Sequence, residues 1–306
     1  MKGDASLFAA IDLGSNAFRL MIGQPVRRSQ GFMIQEVKTL REPVRLAEGF
    51  QEGALDRGWQ ALARFGKKLR GFEAGRVRAV ATSAVREADN APLFLASAER
   101  HLGFRIDVIS GHEEARLVYA GVAHTVPGSE SMRLVVDIGG GSTELILGQG
   151  AQPLLTESIA IGSATFGARY FPGGAVSAHA LQEAERLASL KFEKVARRYR
   201  QLGWQQAIGS SGTTRFLAKV LKANGLNDDG QDGITYGGLL RLSLRLLEAG
   251  HVKRLRLVGL QSHRLSILPG GLALMLAAFK VFGVTHMTPS EPGLRFGVLH
   301  GLICNN

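Results

Sequence analysis

Residues 134–148 read Leu134-Val135-Val136-Asp137-Ile138-Gly139-Gly140-Gly141-Ser142-Thr143-Glu144-Leu145-Ile146-Leu147-Gly148. An apolar run ends in Asp-x-Gly, a turn of small residues follows, and a second apolar run ends in Gly. Two short strands around such a turn predict a β-hairpin. The same grammar occurs 125 residues earlier, where an apolar run at residues 7–11 ends in Asp12-Leu13-Gly14-Ser15-Asn16. There Phe18, Leu20 and Ile22 alternate with Arg19 and Met21. Placing Asp12 on Asp137 matches Gly14 with Gly139, Leu20 with Leu145 and Gly23 with Gly148. A repeat on this scale predicts two related halves facing each other.

Outward from the hairpins, strands and helices alternate. Residues 76–81 read as a strand running into Thr82-Ser83, which can cap a helix whose first turn holds Arg86. Residues 104–109 read as another strand, and Ser110-Gly111-His112-Glu113 opens a helix. Pro127-Gly128-Ser129 marks a linker, and residues 177–202 form a long amphipathic helix with a solvated outer face. This alternation predicts an α/β architecture. With 306 residues the chain accommodates two domains, taken as residues 1–124 and 125–306, with the C-terminal helix able to pack back on the first.

Composition narrows the function classes. A hydrophobic share of 45% and a charged share of 21% exclude disordered, collagenous and coiled-coil chains. Lys and Arg total 37 against 26 Asp and Glu, a formal charge of +11 that predicts polyanionic company: nucleic acid, an anionic membrane surface or a phosphate-rich substrate. The single cysteine, Cys304, excludes an internal disulfide framework and a CxxC metal knuckle and fits a reducing compartment. Residues 1–10 show no secretion signal, so the expected location is cytoplasmic. Residues 265–284 are apolar, but Pro269, Gly270, Gly271 and Lys280 interrupt them, which predicts a buried loop and helix rather than a membrane span.

A phosphate wants converging backbone N–H groups, and glycine lets the backbone approach. Gly139-Gly140-Gly141-Ser142-Thr143 offers several such groups and two hydroxyls, and Gly14-Ser15-Asn16 a smaller version. Gly209-Ser210-Ser211-Gly212-Thr213-Thr214 offers a third at the mouth of an apparent helix, residues 215–221. Asp12 and Asp137, each at the end of a strand beside a phosphate cradle, are placed either to hold Mg²⁺ or to cap a turn. Glu144 lies seven residues past Asp137, an odd offset that puts the two on opposite faces unless the turn resets the register. Arg86 and Arg19 are candidate phosphate clamps, because guanidinium donors are fixed and bidentate.

Glu114 is the most informative acid. At 100° per residue it falls within a small, apolar stripe of Leu117, Val118, Gly121 and Val122, with no evident partner. Glu113 instead completes an S-x-x-E capping box with Ser110. A partly desolvated carboxylate facing a wet cleft is suited to act as a general base; a partner arginine at a helix end is the other reading. Arg116 stands where a zinc HExxH helix needs its second histidine, so zinc is rejected. No Walker A, GxSxG or GxGxxG pattern is present. The clusters Arg197-Arg198-Tyr199-Arg200 and Lys253-Arg254-Leu255-Arg256 lack the aromatic platforms of single-strand binders, so nucleic acid is not an expected partner.

Taken in order, these motifs resemble the Ppx/GppA family of exopolyphosphatases and guanosine pentaphosphate phosphohydrolases. The carrying residues are those at 10–16, 81–86, 110–117, 136–144 and 209–213, together with Leu268-Pro269-Gly270-Gly271. The resemblance implies an actin/Hsp70/sugar-kinase fold, with two ribonuclease-H-like domains around a cleft. It implies Mg²⁺-dependent (or other divalent-dependent) release of phosphate from polyphosphate, or of the 5′ phosphate from pppGpp. By resemblance, Glu114 is the base and Arg86 the phosphate-binding arginine. Asp12, Gly14, Ser15, Asn16 and Arg19 belong to the first phosphate site. Gly139, Gly140, Gly141 and Ser142 form the second loop and Ser211, Gly212 and Thr213 a third, with Asp137, Glu144 and Asp12 associated with metal. Ala17 departs from the family, many of whose members carry a hydroxyl residue there. The chain also lacks the extra helical domain of longer members, which points to short polyphosphate chains. The expected partners are inorganic polyphosphate or a (p)ppGpp-type nucleotide, no membrane, and at most a second copy of the chain. A sugar- or acetate-kinase-like phosphotransferase and a non-catalytic polyanion or nucleotide sensor are the competing readings.

Overall fold

The computed structural model describes residues 6–28, 31–46, 50, 52–125 and 130–305. The chain divides into two units, Met1–Pro127 with Pro292–Asn306, and Gly128–Glu291. The linker expected at Pro127-Gly128-Ser129 lies outside the described residues.

Unit 1 is built on strands β1 (Phe8–Leu13), β2 (Ala17–Arg27), β3 (Phe32–Pro43), β4 (Val77–Ala81) and β5 (Ile106–Val108), in the order β3-β2-β1-β4-β5. The β1–β2 and β2–β3 pairs are antiparallel, and β1–β4 and β4–β5 are parallel. Helices α1 (Glu52–Lys68), α2 (Ser83–Arg86), α3 (Ala91–Leu102) and α4 (Gly111–Thr125) complete the first pass of the chain. Side chains alternate along β1. Ala9, Ile11 and Leu13 pack with Leu62, Phe65, Phe94 and Ala98 of α1 and α3, while Phe8 and Ala10 face Leu117 of α4 on the other side. Asp12 is next in the Phe8–Ala10 series, so the strand delivers it to the α4 side.

Unit 2 carries β6 (Met132–Ile138), β7 (Thr143–Gln149), β8 (Gln152–Ile159), β9 (Gln206–Gly209), β10 (Ile234–Thr235) and β11 (His286–Pro289), in the order β10-β11-β9-β6-β7-β8. Read from β8, the strands β8-β7-β6-β9-β11 repeat the order and directions of unit 1, and β10 adds one antiparallel edge. The correspondence extends to irregularities. The register slips at Ile22/Gly23 in one unit and at Leu147/Gly148 in the other, the same step of the repeat. These are the two ribonuclease-H-like sheets of the α/β fold that the repeat and the resemblance predict.

The helices of unit 2 are α5 (Ser163–Tyr170), α6 (Ala178–Leu202), α7 (Gly212–Ala223), α8 (Tyr236–Ala249) and α9 (Leu268–Phe282). In α6, Leu181, Ala184, Ala188, Phe192, Ala196 and Tyr199 are buried at spacings of three and four, which leaves a polar outer face. Helix α9 is apolar all round and buried at every residue except Lys280. With the 3₁₀ turn Ser262–Ile267 before it, this stretch is long and apolar enough to cross a membrane, and 83% of its most apolar window is buried inside the protein.

The chain then returns to unit 1 as α10 (Leu294–Cys304), which packs on α4 and β1. Glycines permit a close crossing. A Cβ on Gly121 would overlap the Gly293 carbonyl, and one on Gly297 would overlap the Leu117 carbonyl. The C-terminal helix thus packs back on the first unit, and residues 292–306 group with it.

Candidate active site

Each hairpin carries an aspartate one residue before the end of its first strand, and the residue opposite sets its surroundings. In unit 1 Asp12 faces Arg19 across β1–β2, and Arg19 in turn faces Arg41 across β2–β3. Arg295, in the first turn of α10, brings its Nη1 to 3.6 Å from Asp12 Oδ2, with both side chains largely buried. Burial pushes the Asp12 carboxyl above its usual range, against the opposing pull of Arg295 and Arg19.

The Gly14-Ser15-Asn16 turn is tied to its surroundings on two sides. The Ser15 and Ser83 hydroxyls share a buried 3.1 Å hydrogen bond, and the Asn16 carbonyl accepts from the amides of Val44 and Arg45 at 3.2 and 2.9 Å. Thr82 stands at the N-cap of α2, but its side chain makes no capping bond. The cap expected of Thr82-Ser83 is therefore absent, because Ser83 turns its hydroxyl to Ser15 instead.

Arg86 closes α2 and reaches Glu114. Its Nη1 donates to the Ile109 carbonyl at 2.8 Å and lies 3.4 Å from Glu114 Oε2. Glu114 is only 7% exposed and sits on the stripe with Leu117, Val118 and Val122. This is the partner arginine at a helix end that the other reading of Glu114 expects, 28 residues away in sequence and beyond the reach of helical spacing. Glu113 differs sharply. The Ser110 hydroxyl accepts the Glu113 amide at 3.1 Å, but the Glu113 carboxylate binds Arg116 at 2.8 and 2.9 Å and approaches Arg78 at 3.6 Å. Only half of the expected capping box forms, and the Arg116 hydrogen bonds hold the Glu113 carboxyl below its usual range.

In unit 2 Asp137 and Glu144 are direct cross-strand partners. They share a face, because the four-residue turn resets the register that their odd spacing had set against them. Glu144 is buried and accepts a 2.8 Å hydrogen bond from Ser158 Oγ. The turn itself closes through the Gly139 amide and Ser142 carbonyl at 2.9 Å. Its carbonyls cap α5: Gly139 accepts from the Ser163 amide and hydroxyl, and Gly140 from the Ala164 and Thr165 amides, at 2.9 to 3.2 Å. The amides of Gly140, Gly141 and Ser142 carry no hydrogen bond to another described residue, which is the donor set an anion needs. Gly162 lies so close to the Gly140–Gly141 peptide that a Cβ would overlap it.

The third turn is joined to the second through Ser163. Ser211 caps α7, its hydroxyl accepting the Thr214 amide at 2.9 Å, and Thr213 Oγ1 donates to Ser163 Oγ at 3.3 Å. Gly270 packs against the Ser163 carbonyl and the Gly167 amide, so the Pro-Gly-Gly start of α9 presses α5 onto both turns. A pocket of about 680 Å³ opens beside Gly212, lined by Arg215, Phe216, Lys219 and Arg264 among others. The Arg264 guanidinium lies 5.6 Å from the centre of the Phe216 ring and donates to the Gly212 carbonyl at 2.8 Å.

Sequence reading missed Arg295, Arg41, Ser83 and Ser163. Arg295 left one trace, as the sole Lys, Arg, Asp or Glu of an apolar helix. Among the described residues no three carboxylate, imidazole or thiol groups gather as a metal centre. The adjoining carboxylates are Asp137 and Glu144, whereas Asp12 is engaged with Arg295.

Solved structures agree with this architecture. The chain is similar to an Aquifex aeolicus member of the Ppx/GppA family, at 26% identity and TM-score 0.77 over 98% of this chain and 99% of that one. It is similar to an exopolyphosphatase-like protein at 25% identity and TM-score 0.82, covering 96% and 98% of the two chains. An exopolyphosphatase from Cytophaga hutchinsonii shares the fold at 24% identity and TM-score 0.85, covering 98% of each. The match to the Ppx/GppA phosphatase family spans residues 26–305, so the protein belongs to that family and is a hydrolase of phosphoanhydride bonds.

Proposed function

We propose that the protein is an exopolyphosphatase that releases the terminal phosphate of inorganic polyphosphate, with Glu114 as general base. The observation that carries this reading is the contrast between adjacent acids. Glu114 is buried beside Arg86, while Glu113 is committed to Arg116. In the proposed step the water oxygen attacks the terminal phosphorus in line and gives its proton to Glu114. The phosphoanhydride P–O bond breaks, and the chain leaves one phosphate shorter. Arg86 neutralises phosphoryl oxygen charge, and the Gly140, Gly141 and Ser142 amides hold phosphate groups on unit 2.

Asp137 and Glu144 would hold the divalent cation. Two carboxylates side by side are hard oxygen donors suited to Mg²⁺, an ion commonly bound by one or two carboxylates plus substrate phosphates. When bound, Mg²⁺ supplies charge neutralisation at phosphoryl oxygens.

A second reading, a pppGpp 5′-phosphohydrolase, is favoured by the pocket beside Gly212, whose size and Phe216–Arg264 stack leave room for a nucleoside. A phosphate-release assay across short and long polyphosphate, pppGpp and ATP, with and without Mg²⁺, separates the two. Glu114→Gln is expected to lose ~10²–10⁴-fold in turnover while still binding polyphosphate. Equal rates for wild type and Glu114→Gln would remove Glu114 from the mechanism.

A further inference from the structure

Arg41 stands directly opposite Arg19 on β2–β3. Such partners have Cβ atoms only about 4.5–5.5 Å apart, and like charges so placed repel. Arg41 is half-buried, and burial together with the charge of Arg19 pulls its guanidinium below the usual range. Its Nε is buried and meets no acceptor, and among the described residues no carboxylate pairs with it. The neighbouring acid is turned elsewhere: Glu42 receives both its hydrogen bonds from Arg64, at 3.0 and 2.8 Å. Other half-buried arginines have a carboxylate or carbonyl oxygen beside the guanidinium: Arg86 has Glu114, Arg215 has the carbonyls of Ser210, Ser290 and Glu291, and Arg295, whose Nε is also buried without an acceptor, has Asp12. A half-buried arginine that faces a like charge and keeps a buried, unsatisfied donor asks for an anion.

We propose that Arg19 and Arg41 together form an oxyanion site on β2–β3 that binds a phosphate group of the condensed-phosphate substrate. The choice of ligand rests on the phosphohydrolase reading. Two planar guanidinium forks, each with fixed N–H donors, match the several oxygens of a phosphate group better than a single carboxylate. A bound phosphate also cancels the Arg19–Arg41 repulsion, so occupancy stabilises unit 1. Arg41 thereby becomes a substrate-binding residue beside Arg19.

The test is binding of inorganic tripolyphosphate by calorimetry at low salt, in a Glu114→Gln background so that the ligand persists, with thermal unfolding of the same proteins. Adding Arg41→Gln is expected to weaken binding roughly tenfold to hundredfold, from lost charged hydrogen bonds. Arg41→Lys keeps the charge without the fork and should fall between. Without ligand, Arg41→Gln should unfold at the same or a higher temperature than its parent, because it relieves the repulsion. Unchanged affinity, no binding by the parent, or a lower unfolding temperature for ligand-free Arg41→Gln would each overturn the site. The phosphohydrolase reading fails separately: if the protein with Glu114 intact releases no phosphate while binding still depends on Arg41, the site stands and the activity does not.

Discussion

The two hairpins share a backbone and differ in charge. Gly14 and Gly139 occupy the same point of the turn, where a Cβ would lie 3.2 Å from the Ala17 carbonyl in one unit and 3.1 Å from the Ser142 carbonyl in the other. Opposite the shared aspartate, unit 1 has Arg19 and unit 2 has Glu144. In the repeated frame Asp12, Arg19 and Arg41 of unit 1 stand where unit 2 has Asp137, Glu144 and Ser158, so unit 1 presents a cationic row, to which α10 adds Arg295, and unit 2 a paired carboxylate. The scaffold fixes where charge is presented, and the residues paired across the strands fix its sign.

The comparison breaks most severely where side chains are forbidden. Gly297→Ala in unit 1 and Gly162→Ala in unit 2 each drive a methyl group into a backbone carbonyl. Each should cost about 3 kcal/mol by urea denaturation, the upper end for overpacking. Gly301→Ala, with no atom in the way, should cost far less. Next comes the charge difference itself. Glu144→Gln should lower activity ~10–100-fold and raise the Mg²⁺ concentration needed for half-maximal rate, whereas Arg19→Gln should raise KM without moving the Mg²⁺ requirement. A shared Mg²⁺ shift in both variants would mean that the hairpins are not specialised by charge.

A smaller effect is confined to unit 1. His124 of α4 and His300 of α10 lie with ring centres 4.5 Å apart and planes tilted by 51°, and Phe32 packs on both. Burial holds both imidazoles below their usual range, His124 further by the nearness of His300. Lowered histidines bind fewer protons folded than unfolded, so stability falls as the pH drops from about 6.5 toward the lowered folded values and is fully kept above 6.5. Melting temperature against pH should therefore slope downward on acidification, and His300→Phe should flatten that slope. The smallest expected change is Ser15→Ala, which leaves the buried Ser83 hydroxyl without its partner and should cost about 1 kcal/mol.

The hairpins were legible because Asp-x-Gly between apolar runs is a local signal, and the repeat carried the topology of both sheets with it. Glu114 was legible as an acid on an apolar stripe. What stayed hidden depends on pairing across distance. The β2–β3 register that sets Arg41 against Arg19, the return of α10 that brings Arg295 to Asp12, and the Arg86–Glu114 contact are invisible to helical or strand period. Glu113 was misread for the opposite reason: a valid capping pattern lost its carboxylate to Arg116, one turn further along.

Helix α10 has a consequence for biosynthesis. Unit 2 is one continuous segment, whereas unit 1 needs residues 292–306, which are translated after it. On the ribosome the second-encoded unit can therefore reach its native state while the first still waits, its Leu117 and Gly121 groove uncovered. Nascent chains halted before codon 292 should present Asp12 without its arginine and an open apolar seam between β1 and α4, the kind of surface that chaperones hold.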